Sequence, residues 1–246
     1  MTENSDFQEV FEDDAMRKRE KAKEHKETTF KEYLKLVEQD PLIAQNSPAR
    51  LLEVILGAGT EKISEEERWL GVGEQFNLFA NKLFGVEKAT AEVVSYLKAG
   101  AFGLSTGKQI LLLVGPTGSG KSTFVTILKT ALKDYRTRPV FMIKDCPMFE
   151  EPLHLVPNHM RQEFAKLPQD CAECCAKRNP KHLHLGIKIE GDLCPYCRYK
   201  LKNEFVSSDK VVRWWDVPVE TFHFSIQDAR GIASFEPSDE KSSDVT

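Results

Sequence analysis

Residues 115–122 read Gly-Pro-Thr-Gly-Ser-Gly-Lys-Ser, an uninterrupted G-x-x-x-x-G-K-S motif. The five residues before it, 110–114, are all aliphatic, and the residues after it carry apolar side chains at helical spacing. The motif therefore lies between a predicted strand and a predicted helix. Phosphate binding requires this placement, because the first-turn N–H groups of a helix are unpaired donors at the positive end of its dipole.

The residue types in the motif suit the separate parts of a polyphosphate. Its glycines allow backbone angles that side chains would block, so the loop can wrap with its amides pointing inward. Lys121 is expected on the β and γ phosphates, the Ser122 hydroxyl on Mg²⁺, and Thr123 at an outer contact. A glycine-rich turn that binds no ligand is the alternative, which the strand and helix around the motif disfavour. The predicted phosphate site comprises Gly115, Pro116, Thr117, Gly118, Ser119, Gly120, Lys121, Ser122 and Thr123.

The order of elements around the motif predicts an α/β domain with a parallel sheet. A helix should follow the motif to about Asp134, and the apolar run Val140–Ile143 is typical of a second strand. Strand, glycine turn, helix and strand within about 35 residues form a βαβ unit, whose ligand site lies at the carboxyl end of the first strand. The fold class expected is a P-loop NTPase.

Composition and periodicity divide the chain into five segments. The first is a charged arm, expected to be a solvated helix, and the second is helical, with Phe30, Tyr33 and Val37 on one face. A βαβ core, a Cys-rich insertion and a strand region with an acidic, disordered tail follow. In order, the segments are residues 1–27, 28–107, 108–169, 170–205 and 206–246.

Charge and hydropathy exclude several classes of protein. Lys plus Arg number 34 against 38 Asp plus Glu, a net charge of −4 that gives no electrostatic footprint for nucleic acid. The aliphatic run 110–114 is far shorter than the roughly 20 residues that span a bilayer, so we expect no membrane helix. The amino terminus lacks the basic and apolar regions of a secretory signal, which indicates a cytoplasmic protein.

The cysteines form two C-x-x-C pairs at metal-binding spacing. In a reducing cytoplasm metal ligation is favoured over disulfides, and the pairs are separated by 19 residues, a spacing typical of tetrahedral zinc sites. Four thiolates would leave no open position, so the metal would stabilise an insertion that is poor in apolar residues. We predict a structural Zn²⁺ on Cys171, Cys174, Cys194 and Cys197.

Other interpretations of these cysteines stay open. Cys175 could replace Cys174, an imidazole of His182 or His184 could enter the shell, and the thiols could instead be reduced and unliganded or form a redox pair. Cys146, beside Pro147, is interpreted as a buried or turn residue.

The segment after Cys146 also holds carboxylates and imidazoles. Glu150, Glu151, His154 and His159 could form a metal or acid/base site, but three prolines favour a turning loop.

A carboxylate that would hold Mg²⁺ for hydrolysis or transfer is not recognisable. Asp145 follows an apolar run that Lys144 interrupts. Asp216 follows Trp214 and Trp215, predicted on opposite faces of a strand, and precedes Pro218, which suits an edge or bend. The sequence therefore predicts nucleotide binding better than turnover, and the catalytic residues are unknown.

Four segments in order resemble the amino-terminal AAA domain of the bacterial PrkA serine protein kinases. They are residues 84–123 around the motif, CPMFEEPLHLVP at 146–157, IEGDLCPYC at 189–197 and RGIASFEPSDEKSSDV at 230–245. The resemblance covers about residues 28 to 246. It implies an AAA-type domain that binds ATP with Mg²⁺, with Val86 near the adenine and Lys121 and Ser122 on the phosphates.

The resemblance also implies what lies outside the chain. Family members look more than twice as long, with the Walker B and sensor elements and a kinase-like domain farther along, so the chain resembles a truncated copy. We expect the chain to be the ATP-binding part of a serine protein kinase that acts on a protein substrate or partner. A homo-oligomer is a further possibility. The alternatives are a nucleotide-dependent interaction module without turnover and a non-functional gene fragment.

Overall fold

The computed structural model describes residues 26–63, 73–164, 187 and 189–233. The charged arm up to residue 25, the acidic tail from residue 234 and half of the Cys-rich insertion lie outside these residues. The strands are β1 (Glu27–Thr29), β2 (Thr60–Lys62), β3 (Glu74–Phe76), β4 (Val140–Ile143) and β5 (Pro218–Phe222). The helices are α1 (Phe30–Gln39), α2 (Ser47–Gly57), α3 (Asn77–Ala80), α4 (Glu87–Ala101), α5 (Lys121–Lys133), α6 (Arg161–Phe164) and α7 (Pro195–Glu204).

The chain forms two compact units. Among the described residues, one unit, the sheet unit, comprises 26–36, 139–157 and 190–222. The other, the helical unit, comprises 37–63, 73–138, 158–164, 187, 189 and 223–233. In the described residues of either unit, no helix combines the length and the apolar character needed to cross a membrane.

The sheet unit is built on a three-stranded sheet of order β1-β5-β4, in which both pairings are antiparallel. The predicted parallel sheet is therefore not confirmed, because the strand expected to follow the βα unit, β4, pairs antiparallel with β5. Pro218 begins the central strand rather than an edge strand. At the first position its missing N–H is tolerated, and its carbonyl still accepts the N–H of Lys144 at 3.1 Å.

The aliphatic run before the glycine-rich motif is not a strand. Residues 110–116 have no helix or strand assignment, and Ile110, Leu112 and Val114 are 94%, 77% and 84% exposed. The prediction of a strand buried on both faces is wrong for these residues. A strand needs neighbours to pair with its N–H and C=O groups, and none of the described strands pairs with this run.

Helix α1 begins directly after Thr29, which caps it. The Glu32 N–H donates to Thr29 Oγ1 at 3.3 Å and the Thr29 N–H donates to Glu32 Oε2 at 3.2 Å, a reciprocal capping box. The predicted apolar face is confirmed, since Phe30, Tyr33 and Val37 are all buried.

The two tryptophans lie in a short 3-10 turn, Trp214–Asp216, that precedes β5. Their rings contact each other edge to face with centroids 5.6 Å apart. The prediction that they occupy opposite faces of a strand is wrong, because the helical turn places neighbouring side chains on adjacent faces instead. Trp214 also packs edge-on against Phe30, with centroids 5.7 Å apart.

The helical unit packs α2, α4 and α5 around one apolar core. Helix α2 packs against both α4 and α5. The apolar side chains at helical spacing form the packed faces. The buried members of this core include Leu52, Ile55, Val93, Val94, Leu97, Phe124 and Ile127. The unit also contains the antiparallel pair β2 and β3.

Asn46 connects two helices of this unit. Its Oδ1 accepts the Ala49 N–H at 3.0 Å, which makes it the N-cap of α2. Its Nδ2 donates to the Gly100 carbonyl at 3.0 Å, near the end of α4. One side chain therefore satisfies an orphan donor of α2 and an acceptor of α4.

Replacing Asn46 with Ala should lower the free energy of unfolding by about 1–2 kcal/mol. The cap alone contributes about 1 kcal/mol, and the bond to the Gly100 carbonyl is lost as well. Urea unfolding followed by circular dichroism measures the change. The control is Asn203→Ala, which removes one exposed bond to the Tyr199 carbonyl and should change stability by less than about 0.5 kcal/mol. Equal losses in the two variants would contradict the double role of Asn46.

Candidate functional site

The glycine-rich motif forms a turn directly before α5. Gly118 and Gly120 have φ values of +78° and +80°, in the left-handed region that favours glycine. The Phe124 N–H donates to the Gly120 carbonyl at 2.8 Å, the bond that begins the helix. The amides of residues 121–123 therefore precede the first intrahelical bond and have no partner within the helix.

The space around the motif also selects glycine. A Cβ on Gly120 would lie 2.8 Å from Leu83 Cδ2, and one on Gly115 would lie 2.9 Å from Ser119 Oγ. No side chain caps α5 at Gly120. The positive end of the helix dipole is therefore not satisfied by a side chain at the cap, which is the condition for binding an anion there.

The Lys121 side chain folds back over the loop. Its ammonium donates to the Gly115 carbonyl at 2.7 Å, the Pro116 carbonyl at 2.6 Å and the Ser119 hydroxyl at 3.0 Å. All three acceptors are uncharged. An anion entering the loop would therefore gain a charge-assisted bond to this ammonium without breaking an ion pair to one of these acceptors.

The remaining residues of the predicted phosphate site surround this lysine in the chain. Pro116, Thr117, Ser122 and Thr123 are exposed, and Ser122 and Thr123 lie in the first turn of α5. The residues of the predicted phosphate site therefore lie on the loop before α5 and in the first turn of that helix, as the sequence predicts.

An apolar pocket that opens to solvent lies beside the motif. Leu83, which contacts Gly120 closely, is in its wall. Phe79, also in the wall, stacks on Phe124 of α5 with centroids 4.8 Å apart and ring planes 10° apart. The pocket is lined by Gln75, Phe76, Phe79, Ala80, Leu83, Val86, Glu87 and Thr90.

Val86, the one predicted nucleotide contact outside the motif, is among the lining residues of this pocket. It precedes α4, and its carbonyl accepts the Thr90 N–H at 2.9 Å and the Thr90 hydroxyl at 3.0 Å. Apolar walls with a few polar groups are the usual lining of a small-molecule pocket. Sequence reasoning missed Phe76, Phe79 and Leu83, whose only signal was that they precede the Phe84-Gly85-Val86 segment.

The two candidate magnesium carboxylates have cationic neighbours in the sheet unit. Asp145, at φ +60° in a turn, lies with Oδ2 3.7 Å from Lys200 Nζ. Asp216 Oδ2 lies 3.2 Å from Arg213 Nε in an ion pair. Both carboxylates fit the role of surface or turn charges. Neither is therefore assigned as the carboxylate that would complete a magnesium site.

A second cluster of chemically active side chains lies in the sheet unit. Cys146, Glu150, Cys194 and Cys197 each offer a ligand atom, and these four atoms lie within 4.8 Å of one another. The predicted partners Cys171 and Cys174, and the alternatives Cys175, His182 and His184, lie outside the described residues. The C-x-x-C spacing predicted Cys194 and Cys197 as ligands of one ion. It did not include Cys146, interpreted as a buried or turn residue, or Glu150, considered only with Glu151, His154 and His159.

The cluster has a defined hydrogen-bond pattern. Cys146 Sγ and Cys194 Sγ are 3.7 Å apart. The Cys197 N–H donates to Cys194 Sγ at 3.4 Å, and the Cys194 N–H donates to Glu150 Oε2 at 2.8 Å. The other oxygen of Glu150 hydrogen-bonds to Nδ1 of His154.

Burial affects the acidity of two of these thiols. It raises the pKa of Cys197 well above its ordinary value, with the neighbouring thiols of Cys146 and Cys194 adding to the effect. Burial also raises the pKa of Cys194, although the N–H of Cys197 opposes the shift. The thiols of Cys194 and Cys197 therefore keep their protons at pH 7 unless a cation binds to them.

The chain is similar to known proteins over most of its length. The family model described as the PrkA AAA domain matches residues 28–246. The "ATP-dependent protease PrkA" of Bacillus subtilis strain 168 is 35% identical over 241 residues, which cover 94% of this chain and 34% of that protein. The "Serine/threonine kinase YeaG" of Escherichia coli K12 is 28% identical over 252 residues, or 95% of this chain and 34% of that protein.

The two relatives have names that describe different activities, and this chain spans about a third of the length of each. No solved structure matches the chain. The family model covers nearly all of the described residues, including both the glycine-rich motif and the cysteine cluster. On that match, this chain belongs to the PrkA AAA domain family.

Proposed function

We propose that this chain binds ATP with Mg²⁺ through the glycine-rich motif and the apolar pocket beside it. The observation that carries the proposal is the turn at Gly120, which presents the uncapped start of α5 and the Lys121 ammonium on the same loop. Membership in an AAA family supports nucleotide as the ligand.

The motif fits a triphosphate by the chemistry of its donors. The N–H groups of the first turn of α5 would hold phosphate oxygens, and Lys121 would exchange its carbonyl acceptors for a phosphate. Ser122, exposed in that turn, would supply its hydroxyl to Mg²⁺. ATP, once bound, supplies a phosphoanhydride whose cleavage can drive a reaction on a protein.

The pocket fits an adenine by its position and lining. Its walls include the rings of Phe76 and Phe79 and the aliphatic side chain of Val86, with Thr90 and Gln75 as polar groups. The contact between Leu83 and the Gly120 backbone fixes the pocket next to the phosphate loop. Base and phosphates would therefore bind to one compact part of the helical unit.

The names of the two relatives, a protease and a serine/threonine kinase, both describe enzymes that act on proteins. We favour serine phosphorylation of a protein substrate in the cytoplasm, with ATP-driven proteolysis as the competing activity. Phosphorylation would transfer phosphate from ATP to serine, whereas proteolysis would release inorganic phosphate and cut the substrate. Mass spectrometry of a substrate after incubation with ATP distinguishes the two products.

A second function, ATP-dependent protein interaction without turnover, is favoured by one observation. Both candidate magnesium carboxylates, Asp145 and Asp216, lie next to cationic side chains. Under this function Mg²⁺ and ATP raise the melting temperature of the chain, while a phosphate-release assay stays at background. Release of phosphate that disappears in Lys121→Ala would instead establish turnover.

Lys121→Ala should weaken Mg²⁺–ATP binding by about 10-fold or more, because a charge-assisted bond worth about 1.5–3 kcal/mol is lost. Isothermal titration calorimetry gives the Kd. The matched control is Lys133→Ala, which removes an exposed lysine from the last turn of the same helix and should leave the Kd within about twofold. An unchanged Kd in Lys121→Ala would contradict the phosphate site.

Val86→Asp should separate the base from the phosphates. A carboxylate in the apolar pocket should weaken ATP at least about 10-fold, while inorganic tripolyphosphate, which has no base, should bind as to the original chain. Competition against a fluorescent ATP analogue measures both ligands. Val125→Asp, which alters an exposed position of α5, is the control. Equal weakening of ATP and tripolyphosphate by Val86→Asp would place the base elsewhere.

A further inference from the structure

We propose that Cys146, Cys194 and Cys197, as thiolates, and Glu150, as a carboxylate, form a structural Zn²⁺ site. The proposal is independent of ATP binding, since all four residues lie in the sheet unit and the phosphate loop lies in the helical unit. It also differs from the set Cys171, Cys174, Cys194 and Cys197 that the C-x-x-C spacing predicts. Both sets share Cys194 and Cys197 and differ in the other two ligands.

The site is built by two distant segments of the chain. The first is the loop after β4, where the Cys146 N–H donates to the Ile143 carbonyl at 3.2 Å and the Ile143 N–H donates to the Glu150 carbonyl at 2.9 Å. These bonds fold the loop back so that Cys146 and Glu150 face the same side of the strand end. The second segment is the start of α7, where Cys194 is the N-cap and Cys197 lies in the first turn.

The sulfur positions fit ligands of one tetrahedral ion. Two thiolates on a tetrahedral Zn²⁺, each at about 2.3 Å, are about 3.8 Å apart, and Cys146 Sγ and Cys194 Sγ are separated by 3.7 Å. A disulfide needs about 2.05 Å, so these two cysteines are not bonded to each other. All four ligand atoms lie within 4.8 Å of one another, close enough to share one ion.

The backbone at the start of α7 suits a bound thiolate. The Cys197 N–H points to Cys194 Sγ at 3.4 Å, and a donated N–H stabilises negative charge on sulfur. The proline after Cys194 begins the helix, so both cysteines of this C-x-x-C are held within a single turn. Their sulfurs can therefore contact one ion without a change of backbone.

Glu150 completes the donor set and is held in place from outside it. Its side chain is 10% exposed. One of its oxygens accepts the Cys194 N–H at 2.8 Å and the other bonds to Nδ1 of His154. Each carboxylate oxygen has a second lone pair, so a metal can bind without breaking either bond. His154 would thereby orient the ligand as an outer partner, the usual arrangement around protein-bound metals.

The burial of Glu150 and the cysteines around it favours a bound ion over three unliganded thiols. Cys146 and Cys197 are each 2% exposed, and Glu150 is nearly as buried. A nearly buried carboxylate facing three sulfurs has its charge compensated when a cation joins the group. On binding, one Zn²⁺ replaces three thiol protons, which leave to solvent, and no oxidant or reductant is required. The ion would tie the loop after β4 to the start of α7.

The test measures bound zinc in the whole chain and its variants. Mass spectrometry of metals should find about one equivalent of zinc in the original chain, and Cys146→Ser should retain less than about half an equivalent. The matched control is the double variant Cys171→Ser with Cys174→Ser, which should retain the full equivalent. Zinc lost from the double variant and kept in Cys146→Ser would overturn the proposal in favour of the pairing predicted from spacing.

X-ray absorption at the zinc edge of the original chain requires no variant, so misfolding of Cys146→Ser cannot obscure the answer. The proposal expects three sulfur neighbours at about 2.3 Å and one oxygen neighbour at about 2.0–2.2 Å. Four sulfur neighbours would exclude Glu150 as a ligand, and a chain that binds no zinc from purification or from added zinc chloride would remove the site. Either result overturns the proposal.

Discussion

The proposed nucleotide site depends on the close approach of the Leu83 side chain to Gly120. A Cβ at residue 120 would come within 2.8 Å of Leu83 Cδ2, and the positive φ of Gly120 independently requires glycine. This contact fixes the start of α5 beside the apolar pocket, and the stacking of Phe79 on Phe124 fixes the same two elements from within the core. A helix end that attracts anions and a pocket that suits a flat base are thus neighbours because of packing.

The sheet unit has an apolar core, which includes Phe30, Tyr33, Ile143 and Val219. Outside that core, the loop after β4 and the start of α7 are brought together by bonds through Glu150 and by the cysteine cluster. A metal that binds ligands from separate segments adds its binding free energy to the folded state. The proposed zinc would therefore serve the fold of the sheet unit, and the nucleotide site of the helical unit would not depend on its chemistry.

Local features of the structure arise from residues that are near each other in the sequence. The capping box at Thr29 and the helix that ends at Gly57 are of this kind, and the helix after the motif was predicted from its apolar spacing. Features set by distant partners were missed. Residues 110–114 have the composition of a buried strand, but strand formation needs a pairing neighbour. Cys146 was interpreted alone because nothing in its own segment indicated Cys194, 48 residues away.

Hydrogen exchange at the backbone amides of residues 118–123 tests the central claim most directly, because those amides are the proposed phosphate donors. The account predicts that Mg²⁺–ATP slows their exchange by about 10-fold or more at saturation, while peptides from the sheet unit exchange as before. Exchange at residues 118–123 that is the same with and without saturating Mg²⁺–ATP would contradict the claim that this turn holds the nucleotide.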